Sequence, residues 1–243
     1  MTNIKVPRRI IKKILRAETN RVPFIDMKNK LEIFAVKERL KPAYAGSRDL
    51  KDIDLTVSDN LPRLRQIARI VGLKCMQTNA PPLYFSKHPN VTSEFLDTFY
   101  NRTDTDVLWI YDNSKIKLKI HKCISGELNE GYILGYPKCC IRWHEERRVL
   151  EIESAFLQNV EKFQKIMDKH VLETYDKYPF VPHWACSACL SGASKRTEKL
   201  NHKYRELAAS ISHDFDKIVV QKVRQIVREF KKSKPSDCLT PQT

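Results

Sequence analysis

Two pairs of cysteines constrain this chain more than any other feature. Cys139 and Cys140 stand side by side in "GYPKCC", and Cys186 and Cys189 form a CxxC in "PHWACSACLS". One CxxC alone is moderate evidence of a site, but a second pair elsewhere supplies the four thiolates that a tetrahedral zinc or an iron–sulfur cluster takes. Four sulfurs meeting at one centre would staple the segment after Gly135 to the loop around residue 186. Pro137 suits the first position of a helix that continues through "CIRWHEERRVL", so Cys139 and Cys140 fall in its opening turn. Amides without a partner there, together with the helix dipole, favour thiolate over thiol. Adjacent residues on a helix point about 100° apart, so both bind one ion only if the turn is distorted or if they face a cluster. That leaves His144, four or five residues beyond the pair, His183, three before Cys186, and Cys123 as reserve ligands. The competing readings are a metal-free redox or nucleophilic pair, and four small buried hydrophobes. A proline-flanked CxxC loop is a poor place for core packing, which weighs against the last.

The segments "LGYPKCCI" and "PFVPHWACSACLS", followed by a helix containing "LNHKYREL", resemble an uncharacterised archaeal and bacterial family. Its members carry GYPxCC, then a proline-flanked cysteine pair and a helix, and the resemblance covers about residues 130 to 210. It implies that the cysteines act as a set. It carries no mechanism.

The chain of 243 residues is 42% hydrophobic, enough for one large domain or two small ones without a disulfide framework. No apolar run reaches the roughly 18 residues of a membrane helix, and the N-terminus lacks a signal peptide's apolar core. The expectation is a soluble, cytoplasmic protein with no membrane partner. In a reducing compartment an odd set of seven cysteines reads as free thiols or metal ligands. A net charge of +15, from 44 Lys and Arg against 29 Asp and Glu, favours a polyanionic partner, of which structured RNA is the leading candidate. The blander reading is a basic protein with no such ligand. The charge is uneven: Arg8, Arg9, Lys12, Lys13 and Arg16 lie in an N-terminal segment without acids, opposite Ile10, Ile11, Ile14 and Leu15 on a helix. Basic residues also dominate from Lys195 to Lys234.

Periodicity predicts an α+β fold. A mixed α/β half over residues 1–134 is followed by a helical half over 135–232 carrying the cysteine cluster, and by a disordered tail over 233–243. The first half contains helices around Met27–Leu40 and after Ser58, the latter with Leu64, Ile67, Ala68 and Val71 buried and Gly72 as its stop. "DIDLTV" and "LKCMQT" read as strands, and "TSEFLDTFY" as a short helix. "VLWIYDNSKIKLKIHK" reads as a β-hairpin, in which Lys115, Lys117 and Lys119 alternate with Ile116, Leu118 and Ile120 to present one basic face to phosphates. The second half contains helices over Ile141 to about Asp176, Ser194–His213 and Asp214–Phe230. No P-loop, GxGxxG, HExxH or GxSxG motif is present. "AGSRDLKDID" is weakly nucleotidyltransferase-like, with Gly46 and Ser47 for a triphosphate and Asp52 and Asp54 for metal ions. The favoured reading is a zinc- or iron–sulfur-binding protein that associates with RNA through basic helices. Its rival is a cysteine- or cluster-dependent enzyme in which Cys139 or Cys140 reacts and His144 or Glu145 moves protons.

Overall fold

The computed structural model describes residues 24–47, 61–79, 106–156, 160–211 and 214–233. The basic N-terminal segment with Arg8, Arg9, Lys12, Lys13 and Arg16, the "DIDLTV" and "TSEFLDTFY" segments, Asp52 and Asp54, and residues 234–243 lie outside them. The elements run α1 (Phe24–Lys37), β1 (Ala43–Ser47), α2 (Leu61–Ile70), β2 (Lys74–Asn79), β3 (Asp106–Tyr111), α3 (Ser114–Ile124), α4 (Glu130–Ile133), α5 (Lys138–Phe156), α6 (Val160–Lys177), α7 (Ser187–Leu190), α8 (Arg196–Ile211) and α9 (Phe215–Ser233). The fold is α+β, with every described strand before residue 112 and only helices after it.

The three strands form an antiparallel sheet in the order β1–β3–β2. Strand β3, "DVLWIY", is almost wholly apolar because both of its faces are covered. Leu108 and Ile110 enter the main core with α1, α2, α8 and α9. Val107, Trp109 and Tyr111 point the other way, into a second cluster with Ile120, Cys123 and Ile133 from α3 and α4. The alternation follows from the pleat of the strand. Helix α2 matches its periodicity: Leu64, Ile67, Ala68 and Val71 are buried, and the chain turns at Gly72 with φ of 74°. Gly46 and Ser47 lie in β1, paired with Leu108 and Val107, rather than in a phosphate-binding turn.

The predicted hairpin is corrected. Its first arm is β3, but the segment after Asn113 is helix α3. Asn113 caps that helix, its side chain accepting from the Ile116 amide at 3.2 Å. The strict alternation concealed a helical face, in which Ile120 and Cys123 are buried with Ile116 and Ile124 packed beside them, while Leu118 is 63% exposed. Lys115, Lys117 and Lys119 are all exposed, yet they do not form one ladder. On a helix Lys115 and Lys119 share a side, whereas Lys117 lies about 200° from Lys115.

The main core crosses residue 135: it joins Leu31 and Ile67 to Phe180, Tyr204 and Val223. Gly135 lies at a close crossing of these parts. Its φ is 75°, and a Cβ there would stand 3.1 Å from Lys41 Cβ and 3.2 Å from Pro42 Cδ, so glycine serves both the left-handed turn and the approach. The start of α5 is thereby set against the α1–β1 connection. Lys41 is itself buried and paired with Glu32 at 2.6 Å. Among the described residues no helix is long and apolar enough to cross a membrane.

Candidate metal centre

The opening turn of α5 and the short helix α7 bring the four sulfurs together. Pro137 stands just before α5, its carbonyl accepting from the amides of Cys140 and Ile141 at 2.9 and 3.0 Å. Cys186 ends the loop after α6 and caps α7, its carbonyl accepting from Cys189 and Leu190 at 2.9 and 3.0 Å. The Sγ atoms of Cys139, Cys140, Cys186 and Cys189 all lie within 4.8 Å of one another. Cys189 Sγ is 3.8 Å from Cys139 Sγ and 3.9 Å from Cys140 Sγ. Two neighbouring positions at a helix start therefore do reach one centre. Cys140, Cys186 and Cys189 are buried and Cys139 is half-buried. The cluster could hold a metal ion.

The surrounding loop is fixed by polar contacts and by packing. Tyr178 donates to the Cys189 carbonyl at 2.7 Å. The amide of Ala185 donates to Thr174 Oγ1 at 3.2 Å, and the His170 ring bonds to the Ala185 carbonyl. Tyr178, Val181 and Ala185 enclose the sulfurs, while Phe180 between them enters the main core.

Polar groups also reach the sulfurs. The Cys186 amide donates to Cys140 Sγ at 3.4 Å, Thr197 Oγ1 lies 3.4 Å from the same sulfur, and Ser194 Oγ is 3.9 Å from Cys139 Sγ. Burial pushes the Cys140 thiol well above its ordinary range and the Cys186 thiol to about 11. Burial acts on Cys189 as well, but the Thr197 and Ser194 hydroxyls oppose it and bring that thiol down to about 7. The set thus combines one acidic thiol with at least two that surrender their protons only to a strong competitor. A cation binding all four is such a competitor.

The reserve ligands lie elsewhere. Cys123 is packed in the second apolar cluster against β3, where burial raises its thiol to about 12. His183 is separated from the sulfurs by one hydroxyl, its Nε2 lying 3.3 Å from Thr197 Oγ1. His144 lines a neighbouring cavity with His183. The sequence did not mark Thr197 as part of the site. A threonine eight residues beyond Cys189, at the start of a helix, carries no local signal, and only the packing of α8 against α5 reveals it.

No curated protein and no solved structure matches the chain. Residues 102–211, which include both cysteine pairs, β3 and the helices that frame the centre, match the model of a family described as a protein of unknown function, DUF483.

Proposed function

We propose that the protein binds one zinc ion through Cys139, Cys140, Cys186 and Cys189, that this ion locks the loop carrying Cys186 to the start of α5, and that the basic surface of the folded chain associates with RNA in the cytoplasm. The carrying observation is the spacing of the sulfurs. A tetrahedron with zinc–sulfur bonds of about 2.3 Å has edges of about 3.8 Å, against 3.8 and 3.9 Å from Cys189 to the α5 pair and 4.8 Å as the upper limit for any pair. Thiolates on a four-iron cluster bind different irons and so stand farther apart than four that share one ion, whereas these four lie within 4.8 Å of one another. Four protein ligands leave no open position, the arrangement of a structural rather than a catalytic zinc. The same enclosure weighs against a nucleophile, because Cys189, whose thiol is the most acidic of those shifted, is wholly buried.

The RNA reading rests on the excess of 15 positive charges and on where cations are exposed. Lys115 and Lys119 share a side of α3, and Lys217, Lys222, Arg224 and Arg228 are exposed on α9. Metal analysis of the purified protein tests the first part: one zinc per chain and a colourless solution are expected, with loss of the metal in Cys189→Ser. A brown chromophore or less than about 0.2 metal per chain after purification without chelators overturns it. RNA binding measured from low to moderate salt tests the second part. Affinity is expected to fall steeply as counterions return to the phosphates, and a flat profile removes the polyanion from the account.

A further inference from the structure

Beside the cysteine centre, and separate from it, lies a cavity of about 380 Å³ between the α4–α5 region and residues 182–184. Its lining is chemically mixed. Arg147 places its guanidinium carbon 4.8 Å above the Trp184 ring. Tyr136 and His183 stack at 4.9 Å, and His144 lies 5.7 Å from Trp184, so much of the wall is planar ring. Glu145 accepts from the Asn129 amide at 2.8 Å, and Asn129 in turn accepts from the Gly131 amide at 2.8 Å, which holds the carboxylate in one orientation. Glu130 is a second acid in the lining.

This combination narrows the ligand. A bare anion would meet two carboxylates, and a simple cation would meet Arg147. A ligand that satisfies both carries an anionic group for the guanidinium and N–H donors for the carboxylate, and a ring wall favours a planar body between the two. A guanidinium held over an indole is attracted to the ring face, and its fork of N–H donors matches the geometry of an oxyanion. Carboxylates accept from the amino groups of bases, and aromatic side chains stack on base faces. The volume accommodates a single nucleotide. We infer that the cavity binds one nucleotide unit with an amino-bearing base, the base edge on Glu145, its face against the ring wall and its phosphate on Arg147. This deepens the RNA reading by naming a recognition pocket, and the unit comes either from an RNA end or unstacked residue or from a free nucleotide.

The test is calorimetric titration of the metal-loaded full chain with GMP, AMP and CMP, with the matching nucleosides and inorganic phosphate as controls, and with a short oligoribonucleotide with and without a 5′-phosphate. At least one of the three mononucleotides, or the phosphorylated oligonucleotide, is expected to bind at least about tenfold more tightly than inorganic phosphate. Arg147→Gln is expected to weaken that ligand about tenfold or more without changing the affinity for its unphosphorylated counterpart, the matching nucleoside or the other oligonucleotide. Glu145→Gln, nearly unchanged in size, is expected to weaken both forms. Unchanged metal content and circular dichroism verify that each variant is folded. Binding of the oligonucleotide alone supports the pocket with RNA as its source, and binding of free nucleotide supports it with the small molecule as its source. The proposal is overturned if none of these ligands binds, if inorganic phosphate binds as tightly as the nucleotides, or if neither folded variant changes the affinity. Loss of salt-sensitive RNA retention with intact mononucleotide binding would sink the wider RNA reading and leave the pocket standing.

Discussion

Thr197 is wholly buried and links the cysteine centre to His183, which lines the neighbouring cavity. Its hydroxyl lies 3.4 Å from Cys140 Sγ and 3.3 Å from His183 Nε2, and it also helps to hold the Cys189 thiol down. Hydrogen bonds of this kind orient metal-binding thiolates and spread their charge, and their removal costs about 10- to 100-fold in metal affinity. Thr197→Val keeps the shape and deletes the hydroxyl. We expect it to fold, to retain one zinc, and to yield that zinc to a competing chromophoric chelator about 10- to 100-fold more readily, with Thr197→Ser close to the parent. Equal affinity in all three proteins would mean that the hydroxyl only fills space. At this scale the convergence of the four cysteines was legible because cysteine pairs in proline-bounded contexts have few other uses. Thr197 was not, and neither was the placing of the tryptophans: Trp184 lines the cavity, and Trp143 packs beside the cysteines.

Helices α5 and α6 carry the next level of the site, joined through His170. Its ring stacks on Trp143 with centroids 4.1 Å apart and planes 16° from parallel, and it bonds to the Ala185 carbonyl directly before Cys186. Burial is the main influence on this imidazole and lowers its pKa, with Arg147 adding to the lowering while the Ala185 carbonyl and Glu173 oppose it. The unfolded chain, with an ordinary histidine near 6.5, therefore takes up the proton first. Stability from the neutral, packed ring is complete above that value and is lost as pH falls through it toward the lowered native value. Urea unfolding of the zinc-saturated protein at pH 7.5 and 6.0 is expected to show a smaller loss on acidification in His170→Gln than in the parent. An identical loss in both would show that His170 does not titrate with unfolding. Most elements were legible where one period dominated. Leu64, Ile67, Ala68 and Val71 named α2, and the stretches Ser194–His213 and Asp214–Phe230 match α8 and α9, whereas the single stretch read from Ile141 to about Asp176 holds two helices, α5 and α6. Helix α3 was not legible, because "KIKLKI" fits a strand by alternation and a helix by its buried Ile120 and Cys123. Asn113 as a cap decides between them, and that cap reads equally well as a turn residue.

At the scale of the molecule, the described strands end at Tyr111, and the texture change at residue 135 does not separate cores. Phe180 packs with Leu31, Leu108 and Tyr204 in the main cluster, while its neighbours Tyr178 and Val181 pack around the cysteines. The Phe180 amide is also held by Asn201 Oδ1 of α8 at 3.0 Å. A loop freed by loss of the ion would thus loosen a residue of the main core, and the sheet would feel the loss. Zinc at about 1,000 times its dissociation constant adds about 4 kcal/mol to the folded state, which in a chain of this size corresponds to about 10 °C in the unfolding midpoint. We therefore expect a strong chelator to lower the midpoint by about that amount. The same single transition should be seen by circular dichroism at 222 nm, which reports the helices, and by fluorescence of Trp109, the buried indole on β3, in a variant whose other two tryptophans are replaced by phenylalanine. Two separated transitions, with the Trp109 signal unmoved by the chelator, would mean that the halves on either side of residue 135 unfold independently and that Phe180 does not couple them. Coincident transitions displaced together would mean that one ion, bound at the helical end, stabilises the sheet through a single loop.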